Sequence, residues 1–356
     1  MARATVSLAE PGRIALQTYV DDPAMGIAGT HEERRHTLGL VLLFWEALGL
    51  RLAWMKGALG DRIQWIGTEI AVMRDSTGTP FGLEVTITEE KAAKLADLTE
   101  DMLQTDYVFR KKLREFAGLG AWISTIIPAM KVFVQMIWAA VASRPAGKES
   151  RDKVATARIR LALKWLRAAS NSRLTTMPRH FLVAPAPAGP TICVDASPVG
   201  GGAWLQLVRQ SVDAPDFYMH LTWNQQDEIL LSAKRGDPAS QAVWEAYMML
   251  IALATWVEKF PKGRSALELR GDAKGVLQAV MARRAKSTVI NSIIAEIQLA
   301  LGTSMYDIYT AHIWSDRNHI SDKLSRLDEG ADFPTECKDA ERSRIVHAPW
   351  RILGAK

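Results

Sequence analysis

Cysteine is scarce in this chain: Cys193 and Cys337 are the only two among 356 residues. They provide no disulfide framework and their spacing matches no zinc site, which predicts a protein of a reducing compartment. A secretory signal is missing too, because Arg3, Glu10, Pro11, Gly12 and Arg13 interrupt residues 1–20. Long apolar runs are also absent. The best candidate, Ile126 to Ala142, is broken by Pro128, Lys131 and Gln135 and predicts a buried helix rather than a membrane span. The expectation is an intracellular protein, cytoplasmic or nuclear, with no membrane partner. Neither repeats nor a strong charge of one sign appear. A net charge of +5 suits a nucleic-acid partner and equally suits proteins that bind none. What the chain does have is apolar content: 48% of it is hydrophobic, enough for two or three domains with real cores.

Four acids stand out by their surroundings. Asp195 ends the apolar run Thr191 to Val194, with Gly200, Gly201 and Gly202 just beyond. Glu245 shares a helix face with Met249, Ala252 and Trp256. Asp272 follows Leu269-Arg270-Gly271, and Asp322 lies one helical turn after Asn318, with two turns needed to reach the solvent-side Arg326. Alone, each has an ordinary reading: a turn starter, the wet edge of a stripe, a helix cap and an exposed helical acid. An acid at the end of an apolar element is costly unless its charge is compensated, and for several at once the simplest compensation is a pair of hard divalent cations.

The surrounding pattern predicts strand, turn, strand, helix and strand over residues 13–72. Ile14 to Val20 alternates, Asp21-Asp22-Pro23 forms a turn, and Ala24 to Ala28 returns. A helix from about His31 stops at Gly49, and Leu50 to Met55 and Arg62 to Val72 read as short strands. Helices are expected from Thr86 to Gln104, behind a capping-box pattern, from Tyr107 to Gly118, and from Glu149 to Ala169. The last carries Arg151, Lys153, Arg158, Arg160, Lys164 and Arg167 on its outer face. Such a run is either a solvated face or a surface that tracks phosphates. The stretch Val183 to Pro190 reads as a stiff linker. Beyond it, strands at Thr191–Asp195, Ala203–Val208 and Phe217–Trp223 precede a poorly patterned insertion, Asn224 to Ser240. A helix at Gln241–Lys259 follows, then a strand at Ala266–Gly271, helices at Ala273–Arg284 and Thr288–Leu301 with Ser287 as the latter's cap, a strand at Tyr306–Trp314 and a helix at Asn318–Leu327. The charged tail after Asp328 reads as loose.

The four acids, in that order of elements, resemble the ribonuclease H domain of retroelement reverse transcriptases. Tyr19-Val20-Asp21-Asp22 is similar to the Tyr-x-Asp-Asp hairpin of their palm. Gly49 to Lys56 resembles the segment carrying a lysine near the leaving pyrophosphate, and Ile63 to Ile70 resembles the primer-gripping hairpin. His312 to Arg326 is similar to the signature His-x-Pro-Gly-x-x-Asn-x-x-Ala-Asp-x-Leu-Ser-Arg, with Trp314 and Ser315 in place of Pro-Gly and Ser321 in place of Ala. Within the family the match looks most like the LTR and DIRS types.

The resemblance implies an α/β fold, a ribonuclease H-like mixed sheet with helices on both faces, preceded by a partial palm and a helical thumb. It divides the chain into a partial palm (1–80), thumb (81–145), basic connector (146–183), ribonuclease H-like domain (184–330) and tail (331–356). It implies hydrolysis of the RNA strand of RNA–DNA hybrids with two Mg²⁺ ions, or Mn²⁺ in their place. Asp195 would bridge both ions, Glu245 and Asp272 would hold the one at the leaving oxygen, and Asp322 the one that activates water. His312 would carry protons, with His319 as the alternative. Tyr19, Asp21, Asp22 and Lys56 would be the polymerase remnant. No third palm carboxylate is apparent, and Pro23 replaces the usual apolar residue, so primer extension is not expected. Arg151, Arg158, Lys164 and Arg167 would bind an RNA–DNA hybrid or other duplex. A non-catalytic binding remnant, or a fragment of a longer RNA-directed DNA polymerase, is the alternative. Oligomeric state is left open.

Overall fold

The computed structural model describes residues 2–19, 21–144, 151–171, 178–183, 187–210, 212–261, 265–301, 306–346, 350 and 353. The chain forms two compact units, residues 1–92 with 178–183, and residues 93–177 with 184–356.

In the first unit a short helix, Ala2–Val6 (α1), precedes the antiparallel pair Ile14–Tyr19 (β1) and Asp22–Ile27 (β2). Tyr19 lies opposite Asp22, so the second aspartate already belongs to the returning strand rather than to the turn. Helix His31–Ala47 (α2) opens on a capping box: the Thr30 amide donates to Glu33 Oε2 at 2.7 Å and the Glu33 amide to the Thr30 hydroxyl at 3.3 Å. It buries Val41 and Trp45 against Ile14. Strands Arg62–Trp65 (β3), Thr68–Arg74 (β4) and Pro80–Ile87 (β5) form an antiparallel sheet, which Arg179–Leu182 (β8) extends from much later in the chain. The strand expected at Leu50–Met55 does not form. Gly49, with φ +74, ends α2, and the segment closes in a 3₁₀ turn at Trp54–Lys56 with Met55 fully exposed. Apolar alternation makes a strand only where a neighbouring strand can take up its hydrogen bonds.

Helix Glu89–Leu103 (α3) leads into the second unit. Residues Tyr107–Phe109 (β6), expected as the start of a helix, are a strand paired with Lys153–Ala155 (β7), and helix Arg110–Ile126 (α4) begins only after them. Tyr-Val-Phe favours an extended chain once a partner is present. The same pairing corrects the expected helix over Glu149–Ala169. After β7 comes a 3₁₀ turn at Thr156–Arg158, then helix Arg160–Asn171 (α6). Arg151 and Lys153 therefore precede the helix, and Glu149 lies outside the described residues. The apolar stretch around Pro128 splits into the end of α4 and helix Lys131–Ala142 (α5), which buries Val132, Phe133, Val134 and Ile137. No described helix is long and apolar enough to cross a membrane. Of the expected linker, residues 184–186 lie outside the described residues.

The centre of this unit is a six-stranded mixed sheet. Thr191–Ala196 (β9), Gly200–Gln206 (β10) and Phe217–Thr222 (β11) form an antiparallel meander. Ser265–Gly271 (β12) runs parallel to β9, and Tyr306–His312 (β13) parallel to β12. With a short edge strand, Glu341–Arg342 (β14), the spatial order is β13-β12-β9-β10-β11-β14. This is the mixed sheet that the sequence leads one to expect. Helices cover both faces, and β10 displays the reason. Successive residues of a strand point to opposite faces. A Cβ on Gly201 would meet Met248 Sδ at 2.5 Å, on helix Gln241–Trp256 (α8), whereas one on Gly202 would meet the Ser325 amide nitrogen at 2.4 Å, on helix His319–Ser325 (α11). Helix α8 is apolar almost all round and buried from Trp244 to Leu253, as expected of a helix in the core. Helices Lys274–Ala282 (α9) and Thr288–Leu301 (α10) complete the unit, and α10 packs against α8.

Two further expectations are corrected. The insertion at 224–240 contains an ordered helix, Gln225–Leu231 (α7), whose capping box pairs Asn224 with Asp227. The described part of the tail after Asp328 is docked rather than loose. Strand β14 pairs with β11, the Trp256 indole donates to Ser343 Oγ at 2.8 Å, the Trp350 indole donates to Tyr247 Oη at 3.2 Å, and the Leu353 amide donates to Glu296 Oε1 at 3.0 Å. Charge in a segment does not stop its few apolar and hydrogen-bonding residues from being captured by a preformed core.

Candidate metal centre

Strands β9 and β12 run parallel, so Asp195 near the end of one and Asp272 just beyond the other emerge at the same sheet edge. The first turns of α8 bring Glu245 to that edge. Asp195, Glu245 and Asp272 each offer a carboxylate oxygen within 4.8 Å of the others, and this is the one such acidic group among the described residues. Asp195 and Glu245 are buried, both 5% exposed. Asp322 stands outside the trio. Its carboxylate is taken by the Arg326 guanidinium at 2.8 Å, one turn on. Residues four apart on a helix are neighbours, which makes that pair the expected one.

The electrostatics of the trio are unfavourable without a counter-charge. Burial raises the Asp195 carboxyl to about 6, with the charges of Asp272 and Asp322 pushing the same way and the Ser325 hydroxyl opposing. Burial, then the charges of Asp195 and Asp272, push Glu245 well above the usual carboxylate range. Glu245 Oε1 accepts from Gln241 Nε2 at 3.2 Å, but Oε2 is buried with no hydrogen-bond partner. An orphaned oxygen beside two further carboxylates fits a hard divalent cation, which prefers oxygen ligands.

Asp195 is held on the other side. Asn318 Nδ2 donates to its Oδ1 at 3.3 Å and to the Val194 carbonyl at 3.1 Å, and the Ser325 hydroxyl donates to its Oδ2 at 2.6 Å. Asp272 Oδ2 accepts from Ser315 at 2.7 Å, in the loop after β13. That loop begins at His312, an exposed residue whose ring meets Trp314 edge-on at 5.2 Å. His319 instead faces Glu336, 3.0 Å away. Sequence reasoning assigned no role to Gln241 or Ser325, although Asn318 and Ser325, seven residues apart, share a helix face and could have been paired on that ground.

The remaining candidates lie elsewhere. Tyr19, Asp21, Asp22 and Lys56 are exposed. Tyr19 and Asp22 line an open cavity of about 540 Å³ with Gln64 and Trp65, and the Trp65 indole donates to the Asp22 carbonyl at 3.1 Å. Arg151, Arg158 and Lys164 are exposed, but Arg158 donates to Ser143 Oγ at 2.7 Å and Arg167 to Glu100 at 3.1 Å.

No family model and no curated protein matches the chain. Among solved structures it is similar to the foamy viral protease-reverse transcriptase in complex with double-stranded DNA, at 15% identity and a TM-score of 0.36, over 88% of this chain. The chain spans about half the length of that structure, 49%. It is also similar to the N-terminal RNase H domain of a Mycobacterium tuberculosis protein, at 16% identity and TM-score 0.30 over 40% of this chain and 95% of the other. RNase H1 of Halobacterium salinarum follows at 15% identity and TM-score 0.29, over 40% and 97%.

Proposed function

We propose that the chain is a nuclease of the ribonuclease H type, derived from a retroelement reverse transcriptase, that hydrolyses the RNA strand of RNA–DNA hybrids. The observation that carries this reading is the convergence of Asp195, Glu245 and Asp272 at one edge of a ribonuclease H-like sheet, with Glu245 Oε2 buried and unbonded. Asp195, Glu245 and Asp272 would hold the divalent cations, Mg²⁺ or Mn²⁺. When bound, such ions supply Lewis acidity and neutralise charge developing on the phosphodiester.

The chain's own residues do the rest. Asn318 and Ser325 donate hydrogen bonds to Asp195. Ser315 does the same for Asp272. His312, exposed at the start of the same loop, would hold a proton on its imidazole for the 3′ oxygen that leaves. Asp322 joins the metal ligands only if it releases Arg326. The basic connector, with Arg151, Arg158, Lys164 and Arg167, would follow the phosphates of the duplex, and residues 1–80 would be a partial palm, with no third carboxylate grouped with Asp21 and Asp22 among the described residues.

A second reading is a binding remnant that no longer cuts, and the ion pair of Asp322 with Arg326 favours it, since one expected ligand is occupied. The test is an RNA–DNA hybrid labelled on the RNA strand. The nuclease reading expects RNA fragments with Mg²⁺, none with EDTA, and an intact DNA strand. Binding of hybrid by the folded chain with no cleavage in either Mg²⁺ or Mn²⁺ would select the remnant.

A further inference from the structure

The face of α11 that meets β9 and β10 carries an arrangement that none of the metal-ligand roles uses. Asn318, at the helix's N-terminal boundary, and Ser325, its last residue, are seven apart and so face the same way. Both are buried, 2% and 4% exposed, and they take opposite oxygens of one carboxylate: Asn318 Nδ2 donates to Asp195 Oδ1 and the Ser325 hydroxyl to Asp195 Oδ2. Each of the two is itself held. Cys193 Sγ donates to Asn318 Oδ1 at 3.1 Å, and Ser197 Oγ donates to the Ser325 carbonyl at 3.0 Å.

The seat for this helix is built into the strand opposite Asp195. Gly202 is the residue paired with Asp195 across β9 and β10, and it is where a side chain would strike Leu324 and the Ser325 amide. The missing side chain lets α11 come close enough for a serine, a short side chain, to reach the carboxylate. A carboxylate oxygen has two lone-pair directions. With one direction on each oxygen taken from the α11 side, one on each is left for a cation shared with Glu245 and Asp272, whose carboxylate oxygens lie within 4.8 Å.

We infer that Ser325, seconded by Asn318, is a positioning residue that orients the Asp195 carboxylate for a divalent cation. This rests on the proposed metal-dependent nuclease reading. Hydrogen-bond partners behind metal ligands typically contribute 10–100-fold in metal affinity. Ser325→Ala should therefore weaken metal binding by about tenfold.

The experiment is a Mn²⁺ titration followed by electron paramagnetic resonance on the full chain, its Ser325→Ala variant and Ser321→Ala. Ser321 is buried on the same helix and its hydroxyl is not bonded to Asp195, so it reports general loosening of α11. The Mg²⁺ concentration giving half-maximal thermal stabilisation is measured beside it. Weakened binding in Ser325→Ala with unchanged binding in Ser321→Ala is the expected result. Equal affinity in the unmodified chain and Ser325→Ala overturns the positioning role, as does an equal loss in both serine variants. No Mn²⁺ binding by the unmodified chain overturns the metal-centre reading itself, and this inference with it.

Discussion

Replacing Asp195 by asparagine should make the metal-free protein more stable at neutral pH. An acid raised from 3.8 to about 6 by folding is one whose ionised form the folded state disfavours. A shift of two units corresponds to roughly 3 kcal/mol. The sign follows from linkage. Below pH 4 the group is protonated in both states and no penalty exists. As pH rises through the folded value near 6, the unfolded chain has already ionised, and stability is lost. At pH 7.5 nearly the whole penalty is present, and asparagine removes it. Asparagine offers one acceptor oxygen, so one of the bonds from Ser325 and Asn318 must reverse or break, which costs about 1 kcal/mol. The net expectation is a gain of about 1–2 kcal/mol at pH 7.5 in EDTA, vanishing toward pH 4. Urea unfolding at the two pH values, with circular dichroism and tryptophan fluorescence read in parallel, measures it. Adding Mg²⁺ should then stabilise the unmodified chain and not the variant, because only the former has a site to fill. A variant that is less stable than the parent at pH 7.5 in EDTA would refute the reasoning, since it would mean the buried charge is already compensated.

Other consequences are open to measurement. Gly202→Ala should destabilise the second unit by about 1–3 kcal/mol, because the new Cβ meets backbone that cannot yield, and urea midpoints will register it. Ending the chain at Gly330 should lower the melting temperature and expose the Trp223–Trp244 stack, detectable as a red shift in emission, since Trp350 and Leu353 are docked beyond that point. Reversing Arg158 and Lys164 to Glu should weaken duplex binding for all sequences alike and reduce the slope of log affinity against log salt by about two. A primer–template assay should detect no extension, and template-dependent extension by this chain would contradict the remnant reading of Asp21 and Asp22.

Much of the second unit could be read from residues because strong local signals agree there. Asp195 terminates a run apolar enough to be a buried strand, and Glu245 interrupts an apolar helix, so both acids announce themselves by being out of place. The order of strands and helices follows from the same periodicities. What escaped was decided by partners distant in sequence. Tyr107–Phe109 is a strand because Lys153–Ala155 lies beside it, and neither segment has enough residues to declare a period. The tail is ordered by Tyr247, Trp256 and Glu296, groups far upstream that no window around residue 345 contains. The pairing of Asp322 with Arg326 was within reach, because residues four apart are neighbours on a helix, yet no partner was assigned to Arg326. Asn318 and Ser325 were missed as a pair because their common target, Asp195, lies more than 120 residues earlier.

The central claim is that Asp195, Glu245 and Asp272 together hold divalent cations, and counting bound Mn²⁺ tests it most directly. Electron paramagnetic resonance of free Mn²⁺ at neutral pH should reveal bound ions in the unmodified chain, displaced by excess Mg²⁺ and lost in both Asp195→Asn and Glu245→Gln. Folded protein that binds no Mn²⁺, or that binds it equally well without either carboxylate, would contradict the account.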